Sequence, residues 1–180
     1  MKRPLLFGCI ALVFAGIGIW FGVRHHTPAA PESPAVAALF SQQFEDVDGK
    51  VQTLSGFHGK TLVVNFWATW CAPCVEEMPE LTALQQEVAS RNIQIVGIGI
   101  DSPSNIREFA AKYKIAYPLF MAGMTGTDLS RNLGNQTGGL PFTVIIDPEG
   151  TVRKTYLGRL KMEQLRTDLD LPPAAAGNAG

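Results

Sequence analysis

A chain of 180 residues with a net charge of −1 has room for one ordinary domain and some extensions. Of its 15 Lys and Arg residues, Lys2, Arg3 and Arg24 precede residue 27 with no acid among them, so the remainder is mildly acidic and carries no basic cluster. That excludes the electrostatic footprint of nucleic-acid binding, and three cysteines are too few to staple a small scaffold.

Pro4–Val23 contains no charged residue and ends at Arg24-His25-His26. A membrane-crossing helix needs about 20 apolar residues, so residues 1–26 are expected to be a single-pass N-terminal transmembrane anchor. Lys2 and Arg3 bias the N-terminus to the cytoplasmic side. A signal peptide cleaved near Ala35-Val36-Ala37 is the alternative, but its apolar region is typically shorter, about 7 to 15 residues. Lipidation of Cys9 is disfavoured because the apolar run continues well past it, which leaves Cys9 as a small apolar residue of the span. Residues 27–38, with Pro28, Pro31 and Pro34 among alanines, predict an extended, semi-rigid linker. A domain over 39–171 follows, and the Pro, Ala and Gly of 172–180 predict a mobile tail.

Within the domain, Phe44–Thr53 reads as a β-hairpin turning at Asp48-Gly49. Leu62–Trp67 is a buried strand. Val75, Met78, Leu81, Leu84 and Val88 recur on one helical face, and Pro79 is expected to kink that helix. Ile93–Ile100 reads as a second buried strand, Pro103–Tyr113 as a helix entered after Ser102, and Tyr117–Met121 as a third strand. Phe142–Asp147 and Thr151–Tyr156 are strands joined by Pro148-Glu149-Gly150, and Leu160–Leu169 is a closing amphipathic helix. Strands alternating with helices predict an α/β sheet covered on both faces.

The chemistry gathers at Trp70-Cys71-Ala72-Pro73-Cys74. Cys71 falls where a strand gives way to a helix, and unpaired N–H groups and the positive end of the helix dipole there favour a thiolate. Cys71 is therefore the candidate nucleophile. Cys74, one turn on, can reach the same sulfur, close a redox-active disulfide and act as the resolving thiol. Zinc calls for about four ligands, and beyond His25 and His26 the only histidine is His58, which reads as a loop residue. Haem attachment requires His after the second cysteine, where Val75 stands. No metal or other cofactor is expected. Glu76, Glu77 and Glu80 fall early in the helix, where acids oppose the dipole and need no further role.

Asn65-Phe66-Trp67-Ala68-Thr69-Trp70-Cys71-Ala72-Pro73-Cys74, followed by Glu76-Glu77-Met78-Pro79 and later by Gly139-Leu140-Pro141-Phe142-Thr143, resembles the TlpA/ResA branch of thioredoxin-like proteins over roughly Leu39–Leu169. The resemblance implies a thioredoxin fold with an N-terminal β-hairpin and a strand-helix insert in the stretch 101–137. It implies a cis Pro141 and a substrate-binding surface of Trp70, Pro73, Leu140 and Pro141, where a client segment adds as a strand. It gives Glu77 a catalytic part as proton acceptor or donor for Cys74, the more so because Asn65 stands where plain thioredoxin has a buried Asp.

The function so implied is disulfide reduction by a protein held at the bacterial inner membrane, with its catalytic domain in the periplasm. Clients are disulfides of other proteins, such as apocytochrome c or a copper-site protein of cytochrome oxidase, with a membrane thiol transporter as electron donor. Ala72-Pro73 lacks the charge between the cysteines that marks strong oxidants, and Ala68 departs from the peroxiredoxin pattern. The alternative is a Cu(I) carrier using the same two thiolates, for which no Met-rich or His-rich segment speaks.

Overall fold

The computed structural model describes residues 33–174. The expected anchor over 1–26, Cys9 and the first half of the linker lie outside them. Among the described residues no helix is long and apolar enough to cross a membrane.

The chain runs α1 (Pro34–Ser41), β1 (Phe44–Asp46), β2 (Val51–Gln52), a 3-10 turn (Leu54–Phe57), β3 (Thr61–Trp67), α2 (Ala72–Val88), β4 (Ile93–Gly99), α3 (Pro103–Tyr113), β5 (Leu119–Met121), α4 (Thr125–Asn132), β6 (Phe142–Ile146), β7 (Val152–Leu157) and α5 (Met162–Asp168). The strands form one sheet of seven in the order β2-β1-β5-β4-β3-β6-β7. β3, β4 and β5 are parallel, and the remaining pairs are antiparallel. The expected mixed α/β fold is therefore present, with its hairpin at β1–β2 turning through Gly49 at a φ of 81°.

Alternation along β3 builds both halves of the core. Leu62, Val64 and Phe66 join Leu39, Leu54, Val96, Phe120 and Val144 on one face, while Val63 and Trp67 join Met78, Leu81, Ile95, Ile106 and Leu165 on the other. Period-two alternation sends successive side chains to opposite faces. Asn65, between Val64 and Phe66, thus faces α2. In α2 the inward positions are Cys74, Glu77, Met78, Leu81, Leu84 and Val88, so a carboxyl stands in the apolar stripe while Val75 is only half-buried. The helix continues through Pro79, which has no N–H to return to the Val75 carbonyl.

Two expectations need correction. The linker does not stay extended to residue 38, because Pro34–Ser41 is helical. Ser33 caps it by accepting the Val36 N–H at 3.2 Å, and Pro34 fits the first turn, where a missing N–H costs nothing. Val36 and Leu39 are fully buried, each side chain contributing about 1.5–3 kcal/mol by removal from water. The stretch 101–137 holds two helices rather than one. Thr125–Asn132 is weak in intrinsic helix formers, and burial of Leu129 on the sheet face that carries Leu62, Val64 and Phe66 supports it. At the end of the expected domain Leu171 is buried, its N–H reaches the Arg166 carbonyl at 2.9 Å, and Arg166 Nε donates to the Pro172 carbonyl at 2.8 Å.

Candidate active site

At the C-terminal end of β3 the chain leaves the sheet through Ala68-Thr69-Trp70 and enters α2 with Cys71 as N-cap. A turn bond from the Cys71 N–H to the Ala68 carbonyl, 3.2 Å, sets the entry. Asp101, just past the parallel neighbour β4, accepts from the Thr69 N–H at 3.3 Å and from the Thr69 hydroxyl. Its other oxygen accepts from the Ser102 N–H at 2.6 Å and from Asn105 Nδ2 at 2.8 Å. Burial works against the Asp101 charge, but the bonds from Thr69, Ser102 and Asn105 outweigh it and hold the carboxyl below its ordinary range. Asp101 therefore pins the loop that presents Trp70 and Cys71, a role the sequence reading missed. The available signal was an acid at the end of the strand adjacent to β3.

Cys71 and Cys74 are joined as a disulfide with Cα atoms 5.3 Å apart. Cys71 is 6% exposed and Cys74 fully buried, so in this oxidised form only the first residue of the pair has any solvent edge. The difference in exposure between the two cysteines is small. No side chain caps the helix N-terminus. Pro73, exposed in the first turn, brings no N–H there, so Ala72 and Cys74 supply the nearest free donors toward a Cys71 thiolate.

Glu77, one turn beyond Cys74, is fully buried. Its Oε1 accepts from Asn65 Nδ2 at 2.7 Å and its Oε2 from the Leu160 N–H at 2.8 Å. Asn65 also donates to the Thr143 hydroxyl at 3.0 Å. Burial pushes the Glu77 pKa up to about 7, against the opposing pull of the Leu160 and Asn65 hydrogen bonds and the Arg159 charge. Tyr117, also buried, is raised by desolvation and by Glu77. A carboxyl that titrates near neutrality suits proton transfer, which the dipole account of the three glutamates does not require. Glu76 and Glu80 differ from it: both are exposed and pair with Arg159.

The Leu140–Pro141 bond is cis, and Pro141 is buried. Phe66 pairs with Phe142 across the β3–β6 ladder, so the next step along β6 sets Pro141 beside the end of β3 from which Cys71 departs. Trp70, 68% exposed, forms a ridge between two depressions. One, about 640 Å³, is walled by Ile100, Met124 and Leu140; the other, about 680 Å³, by Glu108, Phe109 and Tyr113. Trp70, Pro73, Leu140 and Pro141 thus gather around one end of the sheet with the cysteines. His58 lies elsewhere, stacked on Phe40 with ring centroids 4.1 Å apart.

Comparison with known proteins agrees with this geometry. The Redoxin family model matches residues 29–170. The chain is 30% identical to the thiol-disulfide oxidoreductase ResA of Bacillus cereus over 163 residues, 89% of this chain and 88% of that protein. It is 29% identical to ResA of Geobacillus thermodenitrificans over 128 residues, covering 69% and 70% of the two chains. Among solved structures, a thioredoxin-family thiol:disulfide interchange protein from Chlorobium tepidum TLS superposes with a TM-score of 0.67 at 27% identity, covering 80% of this chain and 97% of its own.

Proposed function

The chain belongs to the Redoxin family, among its ResA-like thiol-disulfide oxidoreductases, and on that premise we propose that it reduces protein disulfides with Cys71 as nucleophile and Cys74 as resolving thiol. The observation that carries the reading is the Cys71–Cys74 pair at the start of α2 with the buried Glu77 one turn on. In the dithiol form, the Cys71 thiolate attacks a client sulfur and the other client sulfur leaves as thiolate with the electron pair. Cys74 then gives its proton to the Glu77 carboxylate and attacks Cys71 Sγ. That step releases the second client thiolate and leaves the Cys71–Cys74 disulfide. Two electrons pass to the client, and a reductant must return them before the next turnover.

The client segment docks across Trp70, Pro73, Leu140 and Pro141, adding its backbone beside the cis bond. The chain works at the bacterial inner membrane, anchored through residues 1–26 with its domain in the periplasm, and takes its electrons from a membrane thiol transporter. Its clients are apocytochrome c or a copper-site protein. The named relatives are oxidoreductases and do not favour the Cu(I)-carrier alternative.

Replacing Cys74 by Ser tests the order of attack. The serine oxygen is a poor nucleophile toward sulfur, so the Cys71–client disulfide persists. A reductase with few clients accumulates DTT-sensitive adducts with a few periplasmic proteins, and Cys71→Ser accumulates none. Adducts on Cys71→Ser instead would reverse the assignment. Absence of adducts despite turnover of a model disulfide by the wild type would reject it.

A further inference from the structure

The three-residue turn Gly158–Leu160, between β7 and α5, reaches Pro141, the outer edge of α2 and the buried Glu77. The Gly158 N–H donates to the Pro141 carbonyl at 2.8 Å. Arg159 Nη1 pairs with Glu76 Oε2 at 2.8 Å and Nη2 with Glu80 Oε1 at 2.9 Å. The Leu160 N–H donates to Glu77 Oε2 at 2.8 Å. Glu76 and Glu80 are one helical turn apart on the outer edge of α2, and Glu77 projects inward from the same turn. One guanidinium therefore bridges the helix surface directly outside the buried carboxyl. Gly158, at a φ of 90°, occupies the left-handed region that favours glycine and lets the chain hook back toward Pro141.

An exposed pair of this kind adds little to stability, since solvent screens it. Its geometric effect is larger. We infer that Arg159 is a positioning residue of the site: by bridging Glu76 and Glu80 it holds the Gly158–Leu160 turn on α2 and so keeps the Leu160 N–H on the Glu77 carboxylate. The inference rests on the reading of Glu77 as proton carrier for Cys74.

The groups facing Glu77 give the sign of the effect. From α2 come Glu76 and Glu80, both paired by Arg159; from the turn come Arg159 and the Leu160 N–H; from β3 comes Asn65; and ahead of β5 the buried phenol of Tyr117. Loss of Arg159 removes a cation, unscreens Glu80 and frees the Leu160 donor. All three changes favour the neutral acid, so Glu77 should ionise at higher pH.

The test uses the full-length chain with Arg159→Gln, Arg159→Lys, Glu77→Gln and the Arg159→Gln/Glu77→Gln double variant. Carbon-13 NMR of the Glu77 carboxyl reads its titration in the oxidised form, and exchange with a protein disulfide gives a pH profile. Arg159→Gln should raise the Glu77 midpoint by roughly half to one pH unit, carry the exchange profile the same way and speed hydrogen exchange of the Leu160 amide. Arg159→Lys keeps the charge without the two-point bridge and should fall between. An unmoved midpoint in Arg159→Gln overturns the inference. So does an equal profile shift when Arg159→Gln is placed on Glu77→Gln, since Arg159 would then act elsewhere. A moved midpoint with an unmoved exchange profile upholds the clasp and rejects the catalytic role of Glu77.

Discussion

Asn65 donates its side-chain amide to Glu77 Oε1 at 2.7 Å in the layer between β3 and α2, and both residues are fully buried. The other polar atom of that amide, Oδ1, has no hydrogen-bond partner among the described residues. An ionised Glu77 needs donors and receives them from Nδ2 and from Leu160. A protonated Glu77 needs an acceptor, and rotation of the same amide offers Oδ1. An aspartate at position 65 supplies no donor when ionised, so Asn65 is the better partner for a carboxyl that changes state.

Stability should depend on pH through Glu77. Its folded pKa is raised from 4.5 to about 7, so the unfolded chain releases this proton first. Stability contributed by this group is fully present below about pH 4.5, falls as pH rises toward 7 and is lost above it, a difference on the order of 3 kcal/mol. Urea unfolding of the oxidised protein at about pH 5 and about pH 8 checks this. In Glu77→Gln that part of the pH dependence should vanish.

Asn65→Asp places a second carboxyl against the first. Two buried acids at hydrogen-bond distance do not both ionise readily, so they titrate as a pair. The upper apparent pKa of the pair should exceed that of Glu77 in the wild type by roughly 1 pH unit or more, visible as a displaced alkaline limb in the exchange profile. A single unchanged titration would show that the two side chains do not share a proton.

Trp70→Ala should leave the fold alone and weaken client exchange. The ring is 68% exposed, and surface substitutions usually alter stability by about 0.5 kcal/mol or less. Thermal unfolding should therefore be nearly unchanged while the exchange rate with a protein disulfide drops several-fold. The rate with a small-molecule disulfide should change less, because it spans neither depression.

Gly97→Ala should destabilise without touching the cysteines. A methyl there would lie 2.5 Å from Leu119 Cδ2 and 3.1 Å from Trp67 Nε1. Overpacking of this kind typically costs about 1–3 kcal/mol, measurable by chemical denaturation. The Glu77 titration should stay in place, since no α2 residue is among the nearest atoms to that methyl.

The redox pair, the inward helix face and most strands were legible because each has a local signature: a CxxC at a strand-to-helix junction, apolar spacing of three and four, apolar runs between turn residues. What escaped the sequence was non-local. Asp101 is an ordinary acid until the β3–β4 ladder brings it beside Thr69. Arg159 belongs to a turn with no motif of its own, and Leu160, expected as the first residue of the closing helix, lies in that turn because the helix starts at Met162. Pro34–Ser41 reads as a spacer from its proline and alanine content, whereas the Ser33 cap and the burial of Val36 and Leu39 make it a helix. Glu77 was named from a resemblance; its isolation from solvent comes from the packing of α2 on β3 and from the turn after β7.

The bond between Glu77 and Leu160 joins positions 83 residues apart. A ribosome therefore delivers both cysteines long before it delivers the donor that completes their surroundings. Until β6 and β7 have docked and the following turn has closed, the nascent chain carries a CxxC with no tuned acid behind it. Such a contact forms late because distant segments must first be brought together. Redox competence is thus a property of the finished domain, and the growing chain exposes its thiols without yet having the machinery that directs them.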